Sequence, residues 1–171
     1  MGYKIVHYDK YMNKISEEIL YAEKHGKGKE FSCYYENILI FEGEYLNGKK
    51  QGKGKEYYNN GKLKFEGYYF YGKKWTGKGT DEFNNIIYEL NDGNGKVKEF
   101  YDNDKLQFEG EYLYGEKNGK GKEYDYEGNL EYEGEYLNGK KHGKGKEYNY
   151  KGELIYEGKY INDKKIWNRF Y

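Results

Sequence analysis

Glycine and lysine recur together in this chain at a spacing close to that of phosphate chemistry. Gly43, Gly48, Lys49 and Lys50, and again Gly134, Gly139, Lys140 and Lys141, come within one residue of a phosphate-cradling loop. Such a loop needs a hydroxyl residue after its lysine, to ligate magnesium, and a helix to follow, so that backbone amides converge on the phosphates. Here a second lysine replaces the hydroxyl and an alternating, strand-like run follows, so nucleotide binding is not expected. His25 and His142 both precede Gly-Lys-Gly-Lys-Glu and therefore occupy equivalent turn positions, while His7 stands alone. Cys33 is the single cysteine, which leaves no disulfide framework, no thiolate metal site and no nucleophile–base pair that spacing can assemble. Asp102 and Asp104 have a calcium-loop spacing, but the third ligand and the glycine are missing, so they read as a turn. No catalytic, cofactor-binding or metal-binding residue is expected, and the chain reads as non-enzymatic.

The remaining charges and aromatics are ordered along the chain. The pairs Lys49–Lys50, Lys73–Lys74, Lys140–Lys141 and Lys164–Lys165 fall at corresponding turns and would line one edge. Successive hairpins would space them by roughly 9–10 Å, about a Debye length at physiological salt. That makes a screened positive ridge, suited to an acidic phospholipid surface. Glu42, Glu66, Glu109, Glu133 and Glu157 form a matching acidic ladder. Its plain structural use is pairing with Lys53, Lys55, Lys120, Lys122, Lys144 and Lys146 on neighbouring strands, at a few tenths of a kcal/mol each. Zero formal net charge and a single arginine, Arg169, argue against nucleic acid. Tyr71 and Tyr114 stand where other units have Asn47 and Asn138, Trp75 follows a lysine pair, and Trp167 lies two residues after Lys165. Exposed Tyr and Trp anchor interfaces, so Tyr71, Trp75, Tyr114 and Trp167 are candidate partner-binding residues. The tryptophans also suit packing over a sheet edge or capping a last unit.

These residues are carried by a repeat. Phe41-Glu42-Gly43-Glu44-Tyr45-Leu46 returns at Phe108–Leu113 and Tyr132–Leu137, with looser copies at Phe65–Phe70 and Tyr156–Ile161. Gly43 and Gly67 are 24 residues apart, as are Gly110, Gly134 and Gly158 in turn. Within each unit apolar residues or glycine alternate with charge, the period of a half-buried strand. Asn-Gly turns between runs tolerate positive φ and signal hairpins. Glycine inside a strand is normally unfavourable; recurring once per run, it is expected to make room for a Tyr or Phe of the next strand. In the N-terminal stretch Tyr11, Ile15 and Ile19 also suit a short helix, but alignment to the repeat favours strand. With 20% aromatic residues, no proline and 30 basic residues against 30 acidic ones, the chain is expected to fold despite a mean hydropathy of -1.29.

The run Tyr132-Glu133-Gly134-Glu135-Tyr136, continuing through Asn138-Gly139-Lys140-Lys141-His142-Gly143-Lys144-Gly145, resembles the MORN (membrane occupation and recognition nexus) repeat. The resemblance extends over nearly the whole chain, except that the central unit around Tyr88–Gly95 lacks its Gly-Lys-Lys segment. It implies an all-β fold, an elongated single-layer antiparallel sheet of stacked β-hairpins. It also implies a scaffold or targeting role through contact with proteins or acidic phospholipids. Residues 1–171 then form one array, with a degenerate N-terminal unit about 1–25, regular units about 26–163, a shortened unit near 77–107 and a C-terminal cap 164–171. Expected partners are a protein, a second copy through unpaired edge strands, or acidic phospholipid; an inhibitor or immunity-type protein bound to one enzyme is the remaining alternative. No apolar run reaches the roughly 18 residues of a membrane span and no leader follows Met1, so the expectation is a cytoplasmic protein, peripheral at most to a membrane.

Overall fold

The computed structural model of the chain describes residues 3–8, 14–20, 25–32 and 38–167. Fifteen strands follow one another: β1 (Tyr3–Tyr8), β2 (Lys14–Leu20), β3 (His25–Phe31), β4 (Leu39–Leu46), β5 (Lys49–Tyr57), β6 (Leu63–Phe70), β7 (Lys73–Thr80), β8 (Ile86–Leu90), β9 (Gly95–Phe100), β10 (Leu106–Leu113), β11 (Glu116–Tyr124), β12 (Leu130–Leu137), β13 (Lys140–Tyr148), β14 (Leu154–Ile161) and β15 (Lys164–Ile166). No helix occurs among the described residues, and the all-β expectation holds. Ile15 and Ile19 lie in β2, as the repeat alignment requires; Tyr11, Cys33 and residues 168–171 of the expected cap fall outside the described residues. The strands pair antiparallel in chain order, β1-β2, then β3 through β8, then β9 through β15, and among the described residues no sheet closes into a barrel. Two compact units result, residues 1–86 and 87–171, and the division falls inside the shortened segment 77–107.

The two ends of the hairpins use different turns. At one end two residues with positive φ close the loop: Asn47-Gly48 (52°, 75°), Asn138-Gly139 (51°, 80°), and also Tyr71-Gly72 (50°, 87°) and Tyr114-Gly115 (53°, 75°). Two left-handed residues in succession make the type I′ turn, whose twist matches that of the strands it joins. At the other end a five-residue loop carries one left-handed residue at its fourth position, as in Tyr58–Lys62, Tyr101–Lys105 and Asn149–Glu153. Asp102 and Asp104 belong to such a loop, where Tyr101 N–H donates to the Lys105 carbonyl at 2.9 Å; the turn reading of these carboxylates is correct.

Register then builds the core. Gly28, Gly43, Gly54, Gly67 and Gly77 are successive cross-strand partners in residues 1–86. Gly110, Gly121, Gly134, Gly145 and Gly158 do the same in 87–171. Large rings lie over this glycine ladder: an added Cβ on Gly54 would come 2.7 Å from Phe41 Cζ and 3.0 Å from Tyr69 Cε2. The ring over Gly43 is Phe41 of the same strand, two residues earlier, so the room is used by the glycine's own strand as well as by the next one. Phe41, Phe65, Phe108, Tyr132 and Tyr160 are essentially inaccessible to solvent. Their rings meet edge to face, with Phe41 and Tyr69 at 5.2 Å and 88°, and Tyr132 and Tyr160 at 5.3 Å and 87°. That is the geometry the ring quadrupole favours, at about 0.5–1.5 kcal/mol per pair beyond area burial. A single sheet can therefore hold a core without a second layer, because its own rings fold down onto glycine backbone.

Candidate functional site

Alternation divides each sheet into two faces. The aromatic face is closed by lysine and glutamate. Lys50 Nζ lies 3.9 Å from the Phe41 ring centroid and 3.0 Å from Glu30. Lys141 lies 4.3 Å from the Tyr132 centroid and 3.2 Å from Glu123, while Lys117 lies 4.2 Å from the Phe108 centroid and 2.7 Å from Glu123. Lys74 pairs with Glu56 at 3.0 Å and Lys165 with Glu147. The eight lysines expected on one edge therefore separate by parity along the strand. Lys50, Lys74, Lys141 and Lys165 are half-buried lids on the rings, each ion-paired. Lys49, Lys140 and Lys164 are exposed at the turns, and Lys73 is half-exposed beside them. Lys117 performs the lid role in the unit where Glu116 replaces the first lysine, and the search for doubled lysines passes over it.

Burial opposes ionisation of Glu123, but Lys117 and Lys141 outweigh it and hold the carboxyl below its ordinary value. The same balance, with Lys74 and Lys50, lowers Glu56. A carboxyl depressed on folding stabilises the fold above its unfolded value of about 4.3 and loses that contribution as pH falls through and below it. Lys117→Met keeps the apolar stem over Phe108 and removes one counter-ion. It is expected to cost about 1–3 kcal/mol at neutral pH, with the gap to wild type narrowing below pH ~4. Thermal melts followed by circular dichroism across pH would measure both effects, and a gap that stayed constant into acid would refute the assignment.

The opposite face is a shallow groove floored by glycine backbone, of about 990 Å³ in residues 87–171 and about 920 Å³ in residues 1–86. Its walls carry the expected Glu and Lys ladders. Lys29–Glu42 (3.4 Å), Lys55–Glu66 (3.2 Å) and Lys146–Glu157 (3.8 Å) pair across strands. Three tyrosines reinforce the glutamates: Tyr57 Oη donates to Glu42 at 2.8 Å, Tyr124 to Glu109 at 2.9 Å and Tyr148 to Glu133 at 2.7 Å. Desolvation and the bond to its glutamate push Tyr57 and Tyr124 each up to about 12. The backbone N–H groups of Lys53 and Lys144, beside Gly52 and Gly143, donate to Glu44 and Glu135. Much of the ladder is thus structural.

The turn edge of this face is apolar. Leu46, Phe70, Leu113, Leu137 and Ile161 are all exposed there. Tyr71 and Tyr114, at the turns, are 64% and 63% exposed. Tyr71 and Trp75, two of the candidate anchors, are joined through Phe70, whose ring lies 4.6 Å from Tyr71 and 5.1 Å from Trp75. Sequence reasoning missed Phe70 and Tyr68, which stands where the repeat has Glu44 and is 50% exposed with Lys53 Nζ over its ring. Their signal was present, since Tyr68-Tyr69-Phe70-Tyr71 replaces the Glu-Tyr-Leu-Asn of other units. Tyr114 sits in the other unit, and its N–H donates to Asn94 Oδ1 at 3.2 Å much as that of Tyr71 donates to Gln51 Oε1 at 3.0 Å. Trp167 packs edge-on against Tyr156 at 5.0 Å, next to the bond from Tyr156 Oη to the Ile166 carbonyl. No cluster of three metal-ligating side chains occurs among the described residues, and no described helix is long and apolar enough to cross a membrane.

Comparison with known proteins fits this geometry. No curated protein matches the chain. The family model of the MORN repeat matches residues 41–62, 108–130 and 132–153, each taking in a hairpin and the loop after it. MORN repeats are commonly involved in contacts with proteins or membranes, and the family is generally non-enzymatic. At these three segments the chain is built of MORN repeats.

Proposed function

We propose that this chain is a non-enzymatic interaction scaffold whose protein partner lies along the sheet and is anchored by the aromatic turns. The carrying observation is the backbone of Tyr71 and Tyr114. Each holds φ near 50°, where other turns of the repeat have asparagine, and each leaves most of its ring in water. A left-handed tyrosine costs about 1 kcal/mol relative to residues that adopt this region readily. Exposure returns little of that within the fold, whereas a partner's surface would bury the ring.

The substitutions Tyr71→Asn and Tyr114→Asn separate the two contributions. Each is expected to raise stability by about 0.5–1 kcal/mol while reducing recovery of a crosslinked partner from the source cell. Unchanged recovery of the same partner by both variants would count against anchoring at the turns. A second reading, contact with acidic phospholipid, is favoured by the exposed Lys49, Lys140 and Lys164 beside Leu46, Leu137 and Ile161. Sedimentation with anionic vesicles tests it, and salt-insensitive binding would rule out the lysine edge.

A further inference from the structure

Lys144 of β13 and Lys159 of β14 stand directly opposite each other in the groove of residues 87–171. Elsewhere along its walls the facing residues have opposite charge, as in Lys120 with Glu135, Lys122 with Glu133, and Lys98 with Glu109. Lys159 occupies the repeat position that Glu111 and Glu135 hold in the preceding units. Like charges directly opposed weaken a sheet. Both lysines are exposed, and no carboxylate of the described residues pairs with either ammonium. Seven lysines and five glutamates line the groove, so its positive excess gathers at this end.

We infer that this end of the groove binds a carboxylate from an acidic, extended segment of a partner protein, held between Lys144 and Lys159. The inference rests on the reading that a protein lies along the sheet, and it names the chemistry of that partner. One carboxylate between the two ammoniums removes their repulsion and gains two charge-assisted hydrogen bonds. Shape decides between a protein segment and a membrane. The two charged rows are two residues apart on each strand, roughly 7 Å, with glycine backbone between them. Such a slot admits a single chain, whereas a flat bilayer would meet the five glutamates at the same height as the lysines. From β10 to β14 the rows run for roughly 19 Å, the length of about six extended residues.

A labelled hexaglutamate peptide titrated with the full chain, read by fluorescence anisotropy, tests the site, with phosphatidylserine vesicles as a parallel arm. Wild type is expected to bind the peptide with an affinity that falls as salt rises. Lys159→Glu restores the alternation of charge, so its melting temperature should equal or exceed that of wild type. Its peptide affinity should nevertheless fall by about tenfold. Equal affinity in wild type and Lys159→Glu overturns the site, and so does an absence of peptide binding. Vesicle binding that Lys159→Glu abolishes, with no peptide binding, overturns it in favour of a membrane. A silent Lys159→Glu alongside loss of captured partner in Tyr114→Asn would sink the acidic-segment inference alone. The converse result would sink anchoring at the aromatic turns and leave this site standing.

Discussion

Raising the pH above about 10 is expected to unfold the sheet of residues 87–171 cooperatively, with its buried tyrosines ionising in the same transition. Tyr132, Tyr136 and Tyr160 are buried, and burial pushes all three upward, followed by the charge of Glu123 for Tyr132 and Tyr136 and by interaction with Glu147 for Tyr160. Tyr45 in the other unit is raised for the same reasons, with its hydroxyl donating to Glu30 at 2.6 Å. The sign follows from which state can ionise. An acid raised on folding stabilises the fold fully below its unfolded value of about 10, and that contribution is lost as pH climbs toward the folded value. Each tyrosine that ionises only after unfolding removes about 1.4 kcal/mol per pH unit above 10, so three together remove about 4. Domains of this size have only about 5–15 kcal/mol in reserve. Tyrosinate absorbance and far-ultraviolet circular dichroism should therefore change together as pH is stepped upward. Tyr132→Phe, the residue type other units carry at Phe41, Phe65 and Phe108, should move the midpoint to higher pH. Tyrosines that titrated independently near pH 10 with the sheet intact would show that the rings are not sealed.

Gly134→Ala is expected to damage this fold severely with a single added methyl. An added Cβ would come 2.7 Å from Gly145 Cα and 2.7 Å from the Lys144 carbonyl oxygen, and would collide with Tyr132 Oη. Two of those three contacts are backbone, and the third belongs to a ring with no solvent exposure whose hydroxyl donates to the Glu135 carbonyl at 3.1 Å. Nothing nearby can give, so strands β12 and β13 must separate, at a cost of about 3 kcal/mol or more. Gly139→Ala is the internal control. Gly139 has φ of 80° but an added Cβ there would meet nothing within 4 Å, so only left-handed strain applies, about 1 kcal/mol. Denaturant midpoints of the two variants should rank in that order. A Gly134→Ala protein as stable as Gly139→Ala would mean that the rings do not rest on the glycine ladder.

The repeat, the strand alternation and the Asn-Gly turns could be read from residue order because they are local. A period of two and a left-handed turn depend on neighbours only a few positions away. The same locality made Tyr71 and Tyr114 visible, since each breaks a turn rule that its siblings Asn47 and Asn138 obey. The two compact units divide inside the shortened segment 77–107. What could not be read was which face a charge occupies. In Lys49-Lys50 and Lys140-Lys141 the residues are chemically identical, and one step along a strand sends the first to solvent and the second over a ring at 3.9 or 4.3 Å. That choice depends on the phase set by the buried rings, and on a register that slips by two residues at Gly43/Tyr45 and Gly134/Tyr136, which keeps that phase. The opposition of Lys144 and Lys159 was hidden for the same reason, because fourteen residues of chain separate two side chains that only strand pairing brings face to face. Period and turn chemistry are properties of the chain's order; facing, pairing and closure are properties of the sheet, and they arise only once the rings have settled on their glycines.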